Sequence, residues 1–83
     1  MDIFVLKYDG EKFLFVWEEN FSINCSVDNN SIKIEANKGG LVSLARHLLE
    51  LAQENVPEFE HIHLDEYNSL DDNSMELIIV KRN

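Results

Sequence analysis

Apolar positions recur along the chain first with a period of two, then with a helical period, then with a period of two again. Ile3 to Tyr8 and Phe13 to Trp17 are apolar and aromatic runs separated by Asp9-Gly10-Glu11-Lys12, whose Asp-Gly step favours a hairpin. From Phe21 to Val27 the alternation is clear: Phe21, Ile23, Cys25 and Val27 share one face, and Ser22, Asn24 and Ser26 the other. Asp28-Asn29-Asn30-Ser31 supplies turn chemistry, because Asn and Asp tolerate positive φ. Ile32, Ile34 and Ala36 then continue the alternation with an inward face. The first 36 residues therefore predict an antiparallel meander.

The period changes after Gly39-Gly40. Leu41, Leu44, Ala45, Leu48, Leu51 and Ala52 fall at helical spacing, widened by Val42 and Leu49. Ser43, Arg46, His47, Glu50 and Gln53 lie on or near the opposite face, so His47 is expected to point away from the sheet. Asn55 and Pro57 mark the stop, since proline cannot continue a helix. His61 to Tyr67 and Ser74 to Lys81 predict two further strands joined by Asn68 to Asn73. In the last strand Glu76, Ile78 and Val80 alternate with equally apolar Met75, Leu77 and Ile79. That pattern suits a central strand, or one whose second face a partner covers. The expected architecture is α+β: an antiparallel sheet of about five to six strands with one α-helix packed on one face.

Length and composition confine the possibilities. Residues 1–83 allow a single domain, and 45 % hydrophobic with 28 % charged residues is ordinary globular composition. The longest apolar run, Phe13 to Trp17, is far shorter than the roughly 20 residues that span a membrane. Neither a membrane helix nor a secretory signal is expected. One cysteine, Cys25, cannot form an internal disulfide and reads as a small core residue in a cytoplasmic protein.

Charge changes the picture more than composition does. The net charge is −9, and His47 to Val80 holds nine acids without a single Lys or Arg, while the remainder has seven of each sign. Such a field repels phosphate backbones and anionic lipid, so neither nucleic acid nor membrane is an expected partner. It would attract a basic protein surface and hasten encounter with it. The plainer alternative is that the acidic excess only maintains solubility.

Candidate chemistry gathers in His61-Ile62-His63-Leu64-Asp65-Glu66-Tyr67. On a strand His61, His63, Asp65 and Tyr67 project from one face and Ile62 and Leu64 from the other. Two imidazoles and a carboxylate could hold a metal, but a catalytic zinc needs three converging ligands, which alternate residues of one strand rarely supply. A polar face that meets a partner is the favoured reading, and no cofactor is expected. Gly39-Gly40 lacks the remainder of any phosphate-binding motif and suits a tight strand-to-helix turn. Trp17 and Phe21 fit either a core or an interface; Phe59, between Glu58 and Glu60, and Tyr67 suit an exposed interface better.

The run Ser31-Ile32-Lys33-Ile34-Glu35-Ala36-Asn37-Lys38-Gly39-Gly40-Leu41, with Leu44-Ala45, Leu48 and Leu51-Ala52, resembles immunity protein family thirty-two of bacterial polymorphic toxin systems. The likeness continues through Val56-Pro57, His61-x-His63-Leu64-Asp65, Leu70 and Ser74-x-Glu76-Leu77-Ile78-Ile79, covering about residues 31 to 81. It implies a cytoplasmic antidote that binds a cognate toxin domain and inhibits it without catalysis. The resemblance fixes no contact residues; the acidic stretch, the aromatics within it and the polar strand face place the expected toxin contact at Glu58, Phe59, Glu60, His61, His63, Asp65, Glu66, Tyr67, Asp71 and Asp72. The partner is expected to be basic, and a nuclease cleft is the candidate that charge complementarity suggests. The rivals are a small metal-binding or hydrolytic domain built on His61, His63 and Asp65, and a non-enzymatic adaptor that dimerises through an edge strand.

Overall fold

The computed structural model describes all residues from Met1 to Asn83. Strands β1 (Ile23–Asp28) and β2 (Ser31–Ala36) precede helix α1 (Lys38–Leu51), which is followed by β3 (His61–Leu64) and β4 (Leu77–Val80). The class is α+β as expected, but the four strands form two separate antiparallel pairs, β1 with β2 and β3 with β4.

The β1–β2 hairpin follows its sequence pattern. Asn29 and Asn30 take φ of 47° and 69°, as a two-residue primed turn requires, and pair Asp28 with Ser31. Ile23 and Cys25 are buried, while the outer half of the same face, Val27 with Ile32 and Ile34, stays exposed. The far edge of β1 is occupied by Asp71 to Met75: Asp71 N–H donates to Ile23 O at 2.8 Å and Met75 N–H to Cys25 O at 2.7 Å. This strip leads directly into β4 and ties the two hairpins together. β4 bonds only to β3, so it is an edge strand and not the central one its pattern suited, and its second apolar row, Ile78 and Val80, lies half exposed on the outer face.

Asn37 caps the helix. Its Oδ1 accepts from Gly40 N–H at 2.8 Å and Ser22 N–H at 3.0 Å, and its Nδ2 donates to Asn20 O at 2.7 Å. The first turn presses on β1 so closely that a Cβ on Gly40 would collide with Ser22 O and lie 2.9 Å from the Ile23 side chain. Gly39-Gly40 thus lies inside the first turn of α1 and permits close docking on β1, instead of forming the strand-to-helix turn that the sequence suggested; the chain enters the helix at Asn37.

The helix is rotated about its axis relative to its hydrophobic stripe, of which only Leu51 and, in part, Leu44 meet the core. Ser43, Arg46, His47 and Glu50 are buried, whereas Leu41, Leu48 and Leu49 are exposed. The cause lies in the first 18 residues, which form no strands and make no backbone–backbone hydrogen bond. Seven of their backbone groups bond instead to polar side chains of α1 and of the residues just after it. Arg46 donates from Nε to Phe4 O at 2.9 Å and from Nη1 to Val16 O at 3.1 Å, bridging both expected strands. Gln53 donates to Leu6 O and accepts from Tyr8 N–H, Asn55 donates to Tyr8 O, and Ser43 Oγ accepts from Glu18 N–H. Glu50 accepts from Leu14 N–H at 3.0 Å. Every residue of 4–8 and 14–18 that bonds to these side chains is even-numbered, as an extended chain presenting alternate peptide groups to one side demands.

His47 therefore does not face solvent. It is sealed between Phe15 and Trp17, ring centroids 4.7 and 4.4 Å away, and neither ring nitrogen has a partner. Burial and the adjacent Arg46 guanidinium lower its pKa to about 4. The arms complete the core around Ile23, Cys25, Leu51, Val56, Ile62, Leu64 and Leu70. Trp17 stacks on Phe21 at 4.4 Å, which places both rings at the core's margin.

Candidate functional site

β3 keeps the alternation read from sequence. Ile62 and Leu64 are buried against the core; His61 and His63 are exposed. The register sets His61 opposite Val80 and His63 opposite Ile78, so two imidazoles and two half-exposed aliphatic side chains share one outer face.

The strand is shorter than the pattern predicts. It stops at Leu64 because Asp65 and Asn68 build a turn: Asp65 Oδ1 accepts from Tyr67 N–H at 2.9 Å and Asn68 N–H at 3.1 Å, and Asn68 Oδ1 accepts from Asp65 N–H at 3.1 Å. Tyr67 therefore leaves the strand face and stands 90 % exposed on the turn. The last strand likewise begins at Leu77 instead of Ser74, because Ser74 and Met75 are committed to the edge of β1.

His63 is the centre of the one polar cluster on this face. Its Nε2 lies 2.8 Å from Glu76 and 3.6 Å from Asp65. Glu76 was absent from the expected contact set. It immediately precedes β4, one step past the Leu64–Leu77 pair, so only the pairing register reveals it. One ligand atom from each of His63, Asp65 and Glu76 can be chosen so that all three lie within 4.8 Å of one another. His61, named with His63 and Asp65 in the metal reading, is not in the group. The three atoms could hold a divalent cation at an open surface, but a closed structural zinc site needs a fourth ligand.

The other expected residues fall into three places. Glu58 and Phe59 occupy the turn before β3, with Phe59 71 % exposed at φ 75° and its N–H bonded to Lys81 O at 2.9 Å. Glu60 is half-buried and accepts from the Tyr8 hydroxyl at 3.4 Å. Burial, reinforced by that carboxylate, holds the Tyr8 hydroxyl above its ordinary pKa, so it remains a donor. Glu66, Asp71 and Asp72 belong to the loop after β3: Glu66 accepts from Asn73 N–H at 2.8 Å, Asp71 accepts from Ser22 Oγ at 2.8 Å, and Asp72 is exposed. Glu50 alone among the acids of the cation-free stretch is fully buried, its role being to hold the arm.

Cys25 is buried in the core, 2 % exposed. No helix is long and apolar enough to cross a membrane. What the surface offers here is a group of exposed rings, carboxylates and imidazoles on a small two-stranded support.

The family model for Immunity protein 32 matches residues 31–83, and the chain belongs to that family. No curated protein and no solved structure matches it. The match begins at β2 and takes in α1, β3 and β4. An immunity function, exercised on a toxin, follows from the family.

Proposed function

We propose that this immunity protein works in the cytoplasm by occlusion, laying the outer face of β3–β4 and its flanking turns over a basic region of a cognate toxin domain. The observation that carries the reading is the cation-free stretch from His47 to Val80, eight of whose nine acids lie outside the buried helix row. Phe59 and Tyr67 stand exposed in the turns before and after β3, and Ile78 and Val80 are half exposed on β4. Large rings make efficient anchors, and carboxylates around them set the rate and register of encounter. A nuclease is the toxin class whose substrate cleft is basic by necessity, because it must hold phosphates. A chain of net charge −9 competes for such a cleft by resembling its substrate.

The test is the association rate with the toxin domain encoded beside this chain, measured at low and at physiological salt. Charge steering predicts a marked fall with added salt. A rate independent of salt would remove the electrostatic part of the reading.

The His63–Asp65–Glu76 group favours a second reading, a metal-binding domain. Elemental analysis of purified protein separates the two. Stoichiometric zinc, nickel or iron that disappears in His63→Ala would favour the metal.

A further inference from the structure

The outer edge of β2 is open, and its residue order matches itself. Opposed residues of an antiparallel ladder either face each other with both peptide groups or both turn them away. Ile23 O and Cys25 O accept from Asp71 and Met75, on the side of β1 away from β2. Their partners Ala36 and Ile34, and Ile32 two residues before, therefore turn their N–H and C=O groups to the outside. No other part of the chain hydrogen-bonds to that edge. Beside it Ile32 is 72 % exposed, Val27 57 % and Ile34 38 %.

We infer that β2 pairs with β2 of a second copy of this chain, antiparallel about a two-fold axis at Ile34, making a continuous sheet in the order β1-β2-β2-β1. In this register Ile34 meets Ile34 and exchanges both backbone bonds, Ile32 meets Ala36, and Lys33 meets Glu35 on the opposite face twice over. Lys33 and Glu35 already sit 3.6 Å apart within one strand and are both exposed, so they can exchange partners without burial. A lysine on an edge strand ordinarily deters pairing. Here it selects the register instead. Centring on Lys33 would set lysine against lysine, centring on Glu35 glutamate against glutamate, and centring on Ile32 or Ala36 would leave both charges without an opposite. The two charges of β2 cancel, and the acidic excess of the chain lies at residues 47–80, outside this strand. The shared apolar row of Val27, Ile32 and Ile34 becomes contiguous across the axis and gains cover from its counterpart. The pairing uses β2 and leaves the β3–β4 face open, so it stands independently of the occlusion mechanism.

Sedimentation equilibrium of the full chain alone tests it. The wild type should move from the 9.7 kDa monomer toward twice that mass as concentration rises over roughly 1 µM to 1 mM. Lys33→Glu should weaken the dimer about tenfold by setting like charges opposite one another, and Lys33→Glu with Glu35→Lys should restore it. Ile34→Pro, which removes the N–H at the axis, should leave a folded monomer, since an edge position tolerates proline. A wild type that stays monomeric throughout would overturn the inference. So would a dimer that survives both Ile34→Pro and Lys33→Glu, or one that the charge exchange fails to restore.

Discussion

Glu50 Oε1 accepts the backbone N–H of Leu14 at 3.0 Å, while its other oxygen is buried without a partner. Burial raises the Glu50 pKa, and the Leu14 bond partly offsets that rise. The bond needs an acceptor and not a charge. Glu50→Gln should thus keep the arm in place, with stability at neutral pH equal to or above that of wild type. Glu50→Ala should lose about 1–3 kcal/mol by stranding a buried N–H. Urea unfolding of the two variants makes the comparison; equal losses would show that the charge itself matters.

Arg46 is the residue on which both arms converge. It bonds Phe4 O, Val16 O and the Glu18 carboxylate, and is 8 % exposed. Arg46→Ala should destabilise the protein by about 3 kcal/mol, since it strands two carbonyls and empties a packed site. Hydrogen exchange should quicken at Tyr8, Leu14 and Glu18, whose N–H groups bond to neighbouring side chains of the same polar row.

His47 gives the fold an acid-sensitive point. Its pKa falls from 6.5 unfolded to about 4 folded, so between those values the unfolded chain binds more protons and stability drops as pH falls. Below the folded pKa the loss is complete, at about 3 kcal/mol. Glu50 acts in the opposite sense: its raised pKa withdraws stability as pH rises above 4.5. Comparing wild type with His47→Phe isolates the histidine. The variant should gain on wild type steadily from neutral pH down to about 4. Parallel pH–stability curves would refute the assignment.

Much of this architecture could be read from residue order, and the exceptions share a cause. β1, β2 and their Asn29-Asn30 turn follow from strict alternation, and α1 from its leucine spacing. The orientation of α1 does not, because a hydrophobic stripe says nothing about who needs hydrogen bonds. The two apolar arms lack strand partners, and the buried row Ser43, Arg46, Glu50 with Gln53 supplies their donors and acceptors. The spacing of that row is the available sign, since four polar side chains in one line, three of them long, are able to serve an extended backbone. On the outer face of β3, the exposure of His61 and His63 is legible by alternation. Tyr67 was misplaced because Asp65 and Asn68 break the strand, and Glu76 was missed because its proximity to His63 arises from strand pairing.

Asn37 joins three segments through one amide. Asn37→Ala removes the helix cap and the bonds to Ser22 and Asn20, and should cost about 2 kcal/mol. Asn37→Asp should recover most of this loss, because Gly40 and Ser22 need only the acceptor. Thermal unfolding of the pair separates the acceptor from the donor to Asn20.

The occlusion mechanism is tested most directly by the dissociation constant for the toxin domain encoded beside this chain. Wild type is compared with a variant combining Glu58→Gln, Asp72→Asn, Glu76→Gln, Phe59→Ala and Tyr67→Ala, all exposed positions. The account predicts affinity lower by about 100-fold or more with the fold intact. An unchanged dissociation constant, with protection undiminished, would contradict it.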